Sequence, residues 1–317
     1  MADRILIVTA VAAEADSVAR GLTGGSRGPS GRTPIGPGPA VQPLPGGYAL
    51  RRHASAILLP GAITPSPLSA HGPLSGTVSA GGLVPPALAQ SPEPVPHGPV
   101  VDVLVAGVGP AAAAAATSTA LARAALGHGP TAGPRTAPYD LVVSAGIAGG
   151  FQPDAPLGAI VVSDAIVAAD LGAETPDGYL PVEELGFGHS VHRVPDALTG
   201  RIAGALADGV QRHVVGPVLT VSTVTGTAER AAELARRHPR AAAEAMEGFG
   251  VAEAAAAYGV PVVEIRAVSN PVGPRDRANW RIGQAMDSLR YAFQLLGSTV
   301  FVEPMDPIDP RDPRESL

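Results

Sequence analysis

The sequence contains no cysteine and no lysine. The absence of cysteine excludes a disulfide framework, a thiolate nucleophile and a cysteine-ligated metal, and it fits a cytoplasmic protein. All 22 basic side chains are therefore arginines, the formal net charge is −6, and basic clusters are scarce. A nucleic-acid surface needs concentrated positive charge, so we expect no nucleic-acid partner.

Long hydrophobic runs are also missing. No apolar run reaches the roughly 20 residues that a membrane-spanning helix needs, so we expect no membrane partner. Residues 5–13 (ILIVTAVAA) follow Arg4 and imitate a short signal peptide, but Glu14 and Asp16 come directly afterwards. Val and Ile dominate the first half of this run, which favours a buried first β-strand.

Strand-like apolar runs alternate with helical patterns along most of the chain. The predicted strands are residues 4–9, 100–106, 141–144, 159–162, 218–221 and 260–265. The predicted helices are residues 12–21, 111–125, 228–236, 250–258 and 282–296. This alternation predicts an α/β fold, a single three-layer domain with a mixed, mostly parallel central sheet and helices on both faces.

Residues 23–97 interrupt this pattern and are dense in Gly, Pro and Ser. Such a segment buries too little apolar surface to offset its ordering entropy, so we predict a largely disordered insertion. Residues 48–59 are more apolar and are a candidate strand pair within it. Residues 303–317, with repeated Asp-Pro, are predicted to be a disordered tail. The domain would then comprise residues 1–22 and 98–302.

Two glycine-rich segments each follow a predicted strand. Residues 103–112 (VLVAGVGPAA) resemble a partial dinucleotide fingerprint, but no acidic residue lies about 20 residues beyond to bind a ribose. A strand-to-helix turn of small residues is the favoured interpretation. Residues 144–150 (SAGIAGG) predict a tight turn at a strand end, or a backbone that another group approaches closely.

Polar residues flank the predicted strand 260–265 on both sides. Glu247 precedes the helix before this strand, and Arg266, Ser269 and Asn270 follow the strand. Ligand sites of open α/β sheets form beyond the carboxyl ends of strands, so these residues are either a site or polar residues that happen to surround a core strand. Glu14, just after the first strand, is either a solvated acid of a helix N-terminus or a catalyst.

His189 and His192 are candidates for a metal pair, since they lie three residues apart. The sequence around them provides no carboxylate-rich context that completes a ligand set. We therefore predict two loop histidines and no metal site.

Five segments, taken in order, resemble the nucleoside phosphorylase/nucleosidase superfamily, its methylthioadenosine/S-adenosylhomocysteine nucleosidase branch and, more closely, the futalosine hydrolase family. Each is weak alone, but their order is specific, and the resemblance covers residues 3–22 and about 98–300. The segments are ILIVTAVAAE at 5–14, AGVGPAAAA at 106–114, SAGIAGG at 144–150 with LGAIVVSD at 157–164, AMEGFG at 245–250 and EIRAVSNPVGPRD at 264–276.

The resemblance implies an N-ribosyl hydrolase that needs no cofactor, binds a small nucleoside and forms a homo-oligomer, a dimer or larger. It implies that Glu14 activates water, that Met246 and Glu247 hold the ribose, and that Ser269 and Asn270 face the base. The implied catalytic residues are Glu14 and Asn270. The implied substrate-binding residues are Gly107, Val108, Gly109, Val224, Met246, Glu247, Arg266 and Ser269.

Two departures from the family patterns narrow the implied reaction. Asn270 stands where the nucleosidases have Asp, and a neutral carboxamide can donate to the O6 and N7 acceptors of a 6-oxopurine. Ser144 stands where the phosphorylases carry a phosphate-holding Arg, so water is favoured over phosphate. The implied reaction is hydrolysis of futalosine to hypoxanthine and dehypoxanthine futalosine, in menaquinone biosynthesis.

Three alternatives remain at this point. The chain could be another purine nucleosidase or phosphorylase of the inosine or methylthioadenosine type, or a nucleoside-binding protein without catalysis.

The loop with Arg275, Arg277, Trp280 and Arg281 either binds the carboxyphenyl tail of futalosine or is a solvated basic loop.

Overall fold

The computed structural model describes residues 4–24, 39–54, 99–126, 139–209 and 211–301. The strands are β1 Arg4–Thr9, β2 Ala40–Pro43, β3 Ala49–Ala54, β4 Val100–Val105, β5 Leu141–Gly150, β6 Ile160–Val162, β7 Ala165–Ala168, β8 Gly172–Thr175, β9 Gly178–Pro181, β10 Val191–Arg193, β11 His213–Val215, β12 Val218–Thr220, β13 Ala243–Ala245 and β14 Val262–Pro271. The helices are α1 Ala12–Leu22, α2 Pro110–Leu126, α3 Asp196–Ala207, α4 Ala228–Arg237, α5 Gly248–Ala257 and α6 Ile282–Ser298.

The centre of the main sheet is parallel. Strand β1 lies between β4 and β5, and β14 pairs with the other side of β5, all in parallel. The strands β3, β6, β10 and β13 each add an antiparallel pairing around this centre. The predicted α/β fold with a mixed sheet is therefore confirmed. Because β1 is buried on both faces, its residues are almost all apolar.

The helices pack on the sheet in two groups, which gives the three layers. Helices α1, α3 and α6 pack together, and α2 packs against α5. Glycines allow the closest approaches: a Cβ on Gly21 would collide with the carbonyl oxygen of Arg290 in α6, and one on Gly250 with that of Pro110 in α2.

Two strands are longer than the sequence predicts. The expected turn after Ser144 is wrong, because β5 continues to Gly150, and β14 continues past Ile265 to Pro271. The two extensions pair with each other in parallel, so each satisfies the backbone hydrogen bonds of the other. The polar residues predicted to follow a strand therefore lie on it.

A hairpin forms within the predicted insertion. Strand β3 pairs with β2 and with β4, so these residues extend the sheet edge. Arg52 donates from Nε and Nη2 to the buried carboxylate of Asp102, at 2.9 Å in each case, and Leu50 is buried. The strand pair thus covers residues 40–54 in place of 48–59. The predicted tail, and nearly all of the remainder of the predicted insertion, lie outside the described residues.

Helix α3 and the short strands β7 to β11 and β13 have no counterpart among the predicted elements. The helix contains Gly200 and Gly204, which weaken a helical pattern, and the strands have only three or four residues each. Within the described ranges, no helix is long and apolar enough to cross a membrane.

Candidate functional site

Glu14 lies in the first turn of α1 and is buried. Its Oε2 accepts from the backbone N–H groups of Ala10 and Val11 at 3.0 Å and 3.2 Å, and its Oε1 accepts from that of Ile147 at 2.9 Å. Only 3% of the residue is exposed, so Glu14 is not a solvated helix acid. Three backbone donors from two elements fix the carboxylate between β1 and β5.

Glu247 caps the start of α5 and faces the glycine turn after β4. Its Oε1 accepts from the Gly109 N–H at 3.3 Å, and its Oε2 accepts from Arg266 Nη2 at 3.0 Å. Gly107 and Gly109 have φ values of 93° and 95°, a conformation that other residues rarely adopt. The turn that carries exposed Val108 is therefore held beside Glu247, and half-buried Met246 precedes it in the chain.

Arg266 connects these groups from inside the protein. Its Nε donates to Glu264 Oε1 at 2.7 Å, and its Nη2 lies 3.3 Å from Ser144 Oγ. Burial works against the charged guanidinium, but attraction to Glu264, Glu247 and Glu14 outweighs it and raises the pKa of Arg266. Because only 1% of Arg266 is exposed, it holds Glu247 from the interior of the protein.

Gly146 makes room for this group of charges. A Cβ at this position would lie 2.5 Å from Glu14 Oε1 and 2.7 Å from Arg266 Nη1. The close approach that the glycine-rich segment implied is therefore made by two charged side chains of the protein itself. At Gly146, strand β5 thus leaves a gap that Glu14 and Arg266 both approach.

Glu264 is a second buried carboxyl behind the site, and sequence reasoning missed it. It is fully buried, and its Oε2 has no hydrogen-bond partner in the described part of the chain. Burial raises the pKa of Glu264 to about 7, and Glu247 adds to the rise, while attraction to Arg266 opposes it. The sequence did contain a signal, since Glu264 and Arg266 are two residues apart on an apolar strand and therefore lie on the same face.

Replacing Glu264 by Gln is expected to remove a pH dependence of stability. The unfolded chain binds the proton of Glu264 near the ordinary pKa of 4.5, and the folded protein near a pKa of about 7. The wild type therefore loses stability as the pH rises through this window, by up to about 3 kcal/mol. The Tm of Glu264→Gln relative to wild type should increase from about pH 5 to about pH 8. A constant difference across thermal melts at these pH values would contradict this prediction.

Ser269 and Asn270 lie at a β-bulge in β14. The register with β5 shifts between Val268 and Asn270, which leaves Ser269 as the extra residue. Bulges often redirect side chains next to active sites. Ser269 Oγ lies 2.8 Å from Asn270 Oδ1, and Asn270 Nδ2 lies 2.9 Å from the carbonyl oxygen of Pro271. The hydroxyl donates to Oδ1, one N–H of the Asn270 amide donates to the Pro271 carbonyl, and the other N–H remains available as a donor.

The loop with Val224 borders the same end of β14. Val224 is 37% exposed, and the next residue, Thr225, donates its N–H and its hydroxyl to the carboxylate of Glu244 on β13. Burial raises the pKa of Glu244 against these hydrogen bonds. Gly226 lies beside Arg275, so this loop and the loop after Asn270 are neighbours. The substrate-binding role of Val224 stays a prediction.

The arginine loop after Asn270 is exposed and gathers around an aromatic ring. The guanidinium carbons of Arg275 and Arg277 lie 5.3 Å and 5.8 Å from the ring centroid of Trp280. The Arg281 N–H donates to the carbonyl oxygen of Ser269 at 2.7 Å, which anchors the loop to the bulge. The assignment of this loop to the substrate tail stays a prediction.

A carboxylate that the sequence did not indicate lies next to the histidine pair. The Nε2 atoms of His192 and His189 lie 2.8 Å and 3.2 Å from Glu253 Oε1 on α5. The expectation that no carboxylate accompanies the pair is therefore wrong. The sequence concealed this because Glu253 is more than 60 residues from His192 along the chain.

Comparisons with known proteins identify the family of this chain. A sequence model of the family described as the phosphorylase superfamily matches residues 94–296. The futalosine hydrolase of Streptomyces coelicolor is 64% identical over 188 residues, which cover 59% of this chain and 74% of the relative. The futalosine hydrolase of Acidothermus cellulolyticus is 39% identical over 298 residues, covering 94% of this chain and 92% of the relative.

Solved structures share the fold at low sequence identity. The native structure of futalosine hydrolase of Helicobacter pylori has a TM-score of 0.64 at 15% identity, and the match covers 94% of this chain and 98% of that chain. A methylthioadenosine/S-adenosylhomocysteine nucleosidase of Colwellia psychrerythraea in complex with adenine has a TM-score of 0.60 at 21% identity, covering 94% and 96%. The chain belongs to the phosphorylase superfamily and, within it, to the futalosine hydrolase family.

Proposed function

We propose that the chain cleaves the N-ribosyl bond of futalosine with water and releases hypoxanthine and dehypoxanthine futalosine, a step of menaquinone biosynthesis. One observation carries the proposal: two buried carboxylates are held in fixed positions, Glu14 by three backbone N–H groups and Glu247 by the Gly109 N–H and Arg266, and the bulge of β14 adds the amide donor of Asn270. The relatives named futalosine hydrolase support the choice of substrate.

Glu14 acts as the general base. A carboxylate offers roughly four lone-pair sites, and three are occupied by backbone N–H groups, so one remains for a water molecule. The water oxygen bonds to C1′ of the ribose while its proton passes to Glu14. The fixed carboxylate holds this water in one orientation, which lowers the entropic part of the barrier.

Glu247 holds the sugar. Each of its oxygens has one protein donor, and the remaining lone pairs accept from ribose hydroxyls. Cleavage of a glycosidic bond passes through an oxocarbenium-like state, in which the ribose becomes positive. The two carboxylates stabilise this charge by electrostatic attraction in a site with little water.

Asn270 supports departure of the base. The C1′–N9 bond breaks with its electron pair moving to the purine, whose acceptor edge becomes richer in electrons. Because Ser269 donates to Oδ1 and the Pro271 carbonyl accepts one Nδ2 hydrogen, the other Nδ2 hydrogen is left to donate to the O6/N7 edge of hypoxanthine. With Oδ1 turned to Ser269, the amide presents a donor to the base, which matches O6 of a 6-oxopurine and not the exocyclic amine of adenine.

Water is favoured over phosphate because neither Ser144 nor Arg266 offers a free cation to an anion. Ser144 is neutral, and Arg266 is almost fully buried with Glu264 and Glu247 as its partners. A phosphate clamp needs a guanidinium that reaches the anion. The geometry therefore supports hydrolysis rather than phosphorolysis.

The deciding experiment follows free base by chromatography after incubation with futalosine, inosine or methylthioadenosine, with and without phosphate. Hypoxanthine released from futalosine without phosphate is the expected result. Dependence on phosphate, or preference for inosine or an adenine nucleoside, would assign the chain to the alternative nucleosidases or phosphorylases. Binding of nucleoside without release of base would identify a non-catalytic protein.

Asn270→Asp is expected to shift the enzyme towards adenine nucleosides. The acid can donate to N7 when protonated, but when ionised it repels O6, so kcat/KM for futalosine should fall about 10–100-fold. The ratio of kcat/KM for methylthioadenosine over futalosine should rise. Gln42→Glu makes the same change from amide to acid on β2, at the edge of the sheet, and should leave this ratio unchanged. No gain on the adenine nucleoside would count against a role of Asn270 in base choice.

We also propose a cytoplasmic homo-oligomer, a dimer or larger, as the working form. The absence of cysteine supports the cytoplasmic location, and the family resemblance supports the oligomer. Light scattering coupled to size exclusion, at several protein concentrations, should give at least twice the mass of 31.6 kDa. A constant monomer mass would overturn the oligomer, and fractionation of the source cells tests the location.

A further inference from the structure

We propose that His189, His192 and Glu253 bind a divalent transition metal ion, with zinc preferred. Their three ligand atoms all lie within 4.8 Å of one another. Two imidazole nitrogens and one carboxylate oxygen are a common zinc ligand set, in which water takes the fourth position. This site lies outside the groups that the proposed reaction uses.

The spacing of the two imidazoles fits a shared tetrahedral ion. Ligands at about 2.0–2.1 Å from zinc lie about 3.3 Å from each other, and two rings bound through Nε2 have centroids about 5 Å apart. The ring centroids of His189 and His192 are 4.9 Å apart, and their Nε2 atoms lie 3.2 Å and 2.8 Å from Glu253 Oε1. An ion therefore needs only small adjustments of these side chains.

The aromatic ring of Phe249 lies beside both histidine rings. The ring centroid of Phe249 lies 5.1 Å from that of His192 and 6.3 Å from that of His189. The side chain of His192 is 13% exposed, whereas Glu253 is 45% exposed and opens the cluster to solvent. A bound ion would connect strand β10, at the edge of the sheet, to helix α5, which begins next to Glu247.

Titration calorimetry of the metal-free full chain with zinc chloride tests this site. We expect one ion per chain, more than tenfold weaker binding in Glu253→Gln and in His192→Ala, and a zinc-dependent rise of Tm in the wild type. His213→Ala, on β11, is the control and should bind as the wild type does. No binding by the wild type, or binding that survives both substitutions, would overturn the site.

We further infer that Glu264 is a positioning residue that acts on Glu247 through Arg266. Glu264 Oε1 accepts from Arg266 Nε at 2.7 Å, and Nη2 of the same guanidinium donates to Glu247 Oε2 at 3.0 Å. A guanidinium is planar and rigid, so fixing Nε also fixes the direction of Nη2. This inference rests on the proposed function, which assigns the ribose to Glu247.

The surroundings of Glu264 are built for this contact. Its N–H donates to Ser163 Oγ at 2.8 Å, and its carbonyl accepts from the Ser163 N–H at 2.9 Å, which fixes the backbone on both sides. A Cβ on Gly248 would collide with the carboxyl of Glu264, so the glycine at the start of α5 makes room for it. The carboxyl thus lies against the helix end that carries Glu247.

Glu264→Met and Glu264→Gln separate positioning from a general loss of structure. Methionine fills similar volume without an acceptor for Arg266, whereas glutamine keeps the acceptor. We expect Glu264→Met to bind dehypoxanthine futalosine at least tenfold more weakly while binding free hypoxanthine as the wild type does. Glu264→Gln should restore binding of the ribosyl product.

Equal weakening of both products, no weakening in folded Glu264→Met, or a Gln variant as defective as the Met variant would overturn the positioning role. If Glu264→Met does not fold, the Gln variant decides, since a loss of ribosyl binding despite the kept acceptor contradicts the proposal. Failure of the proposed function is distinguishable, because it shows as a wild type that releases no hypoxanthine from futalosine.

Discussion

Glu14→Gln is expected to lower kcat about 10²–10⁴-fold, with little change in KM. The amide cannot take the proton of the attacking water, and the loss falls on the transition state because Glu14 contacts the water rather than the nucleoside. Its NH₂ group would also face the N–H of Ile147 or of Ala10, which costs about 1–3 kcal/mol of stability. Initial rates of hypoxanthine release with futalosine measure the effect.

Two further variants make this result specific. Glu14→Ala removes the base without a clash between donors and should be as slow as Glu14→Gln. Asp16→Asn removes the same charge two residues further along α1, where the carboxylate is exposed and pairs with Arg51. An exposed ion pair contributes at most about 1 kcal/mol, so this control should keep wild-type kcat. If folded Glu14→Ala retained kcat within a factor of about 10, Glu14 would not be the base.

The sequence predicted the central part of the fold well because its signals are local there. Residues 4–9 are apolar and β-branched, and they form β1 with the predicted bounds. The helix predicted at 12–21 extends by one residue to Leu22. The hairpin at the sheet edge was harder to predict, since its stability comes from pairing with β4 and from Asp102, which is 50 residues away from Arg52.

The sequence indicated the residue types of the candidate site, but it did not indicate the hydrogen bonds that connect them. The resemblance named Glu14 and Glu247, yet gave no indication that Arg266 supports Glu247 from behind. The apparent turn at 144–150 misled because glycine is typical both of turns and of close approaches. Only the register of β5 with β14 shows that Gly146 lies opposite Arg266.

Because Gly146 lies opposite Arg266, we expect a large effect from substituting a residue that has no side chain. A Cβ at position 146 would lie 2.5 Å from Glu14 Oε1 and 2.7 Å from Arg266 Nη1, nearer than any stable contact. Neither group can retreat freely, because Glu14 is held by three backbone donors and Arg266 by Glu264 and Glu247. The substitution must therefore break hydrogen bonds that position both carboxylates.

Gly146→Ala is accordingly expected to lower the free energy of unfolding by about 2 kcal/mol, as overpacking does, and to reduce kcat/KM about 100-fold. Denaturant unfolding and initial rates measure the two effects. Gly200→Ala is the matched control: it adds the same methyl group in α3, where no heavy atom lies within 4 Å. Alanine in a helix interior is favoured over glycine by about 0.5–1 kcal/mol, so this control should be at least as stable as the wild type and fully active. A Gly146→Ala protein with the stability and kcat/KM of Gly200→Ala would show that the close approach of Glu14 and Arg266 to position 146 is not needed.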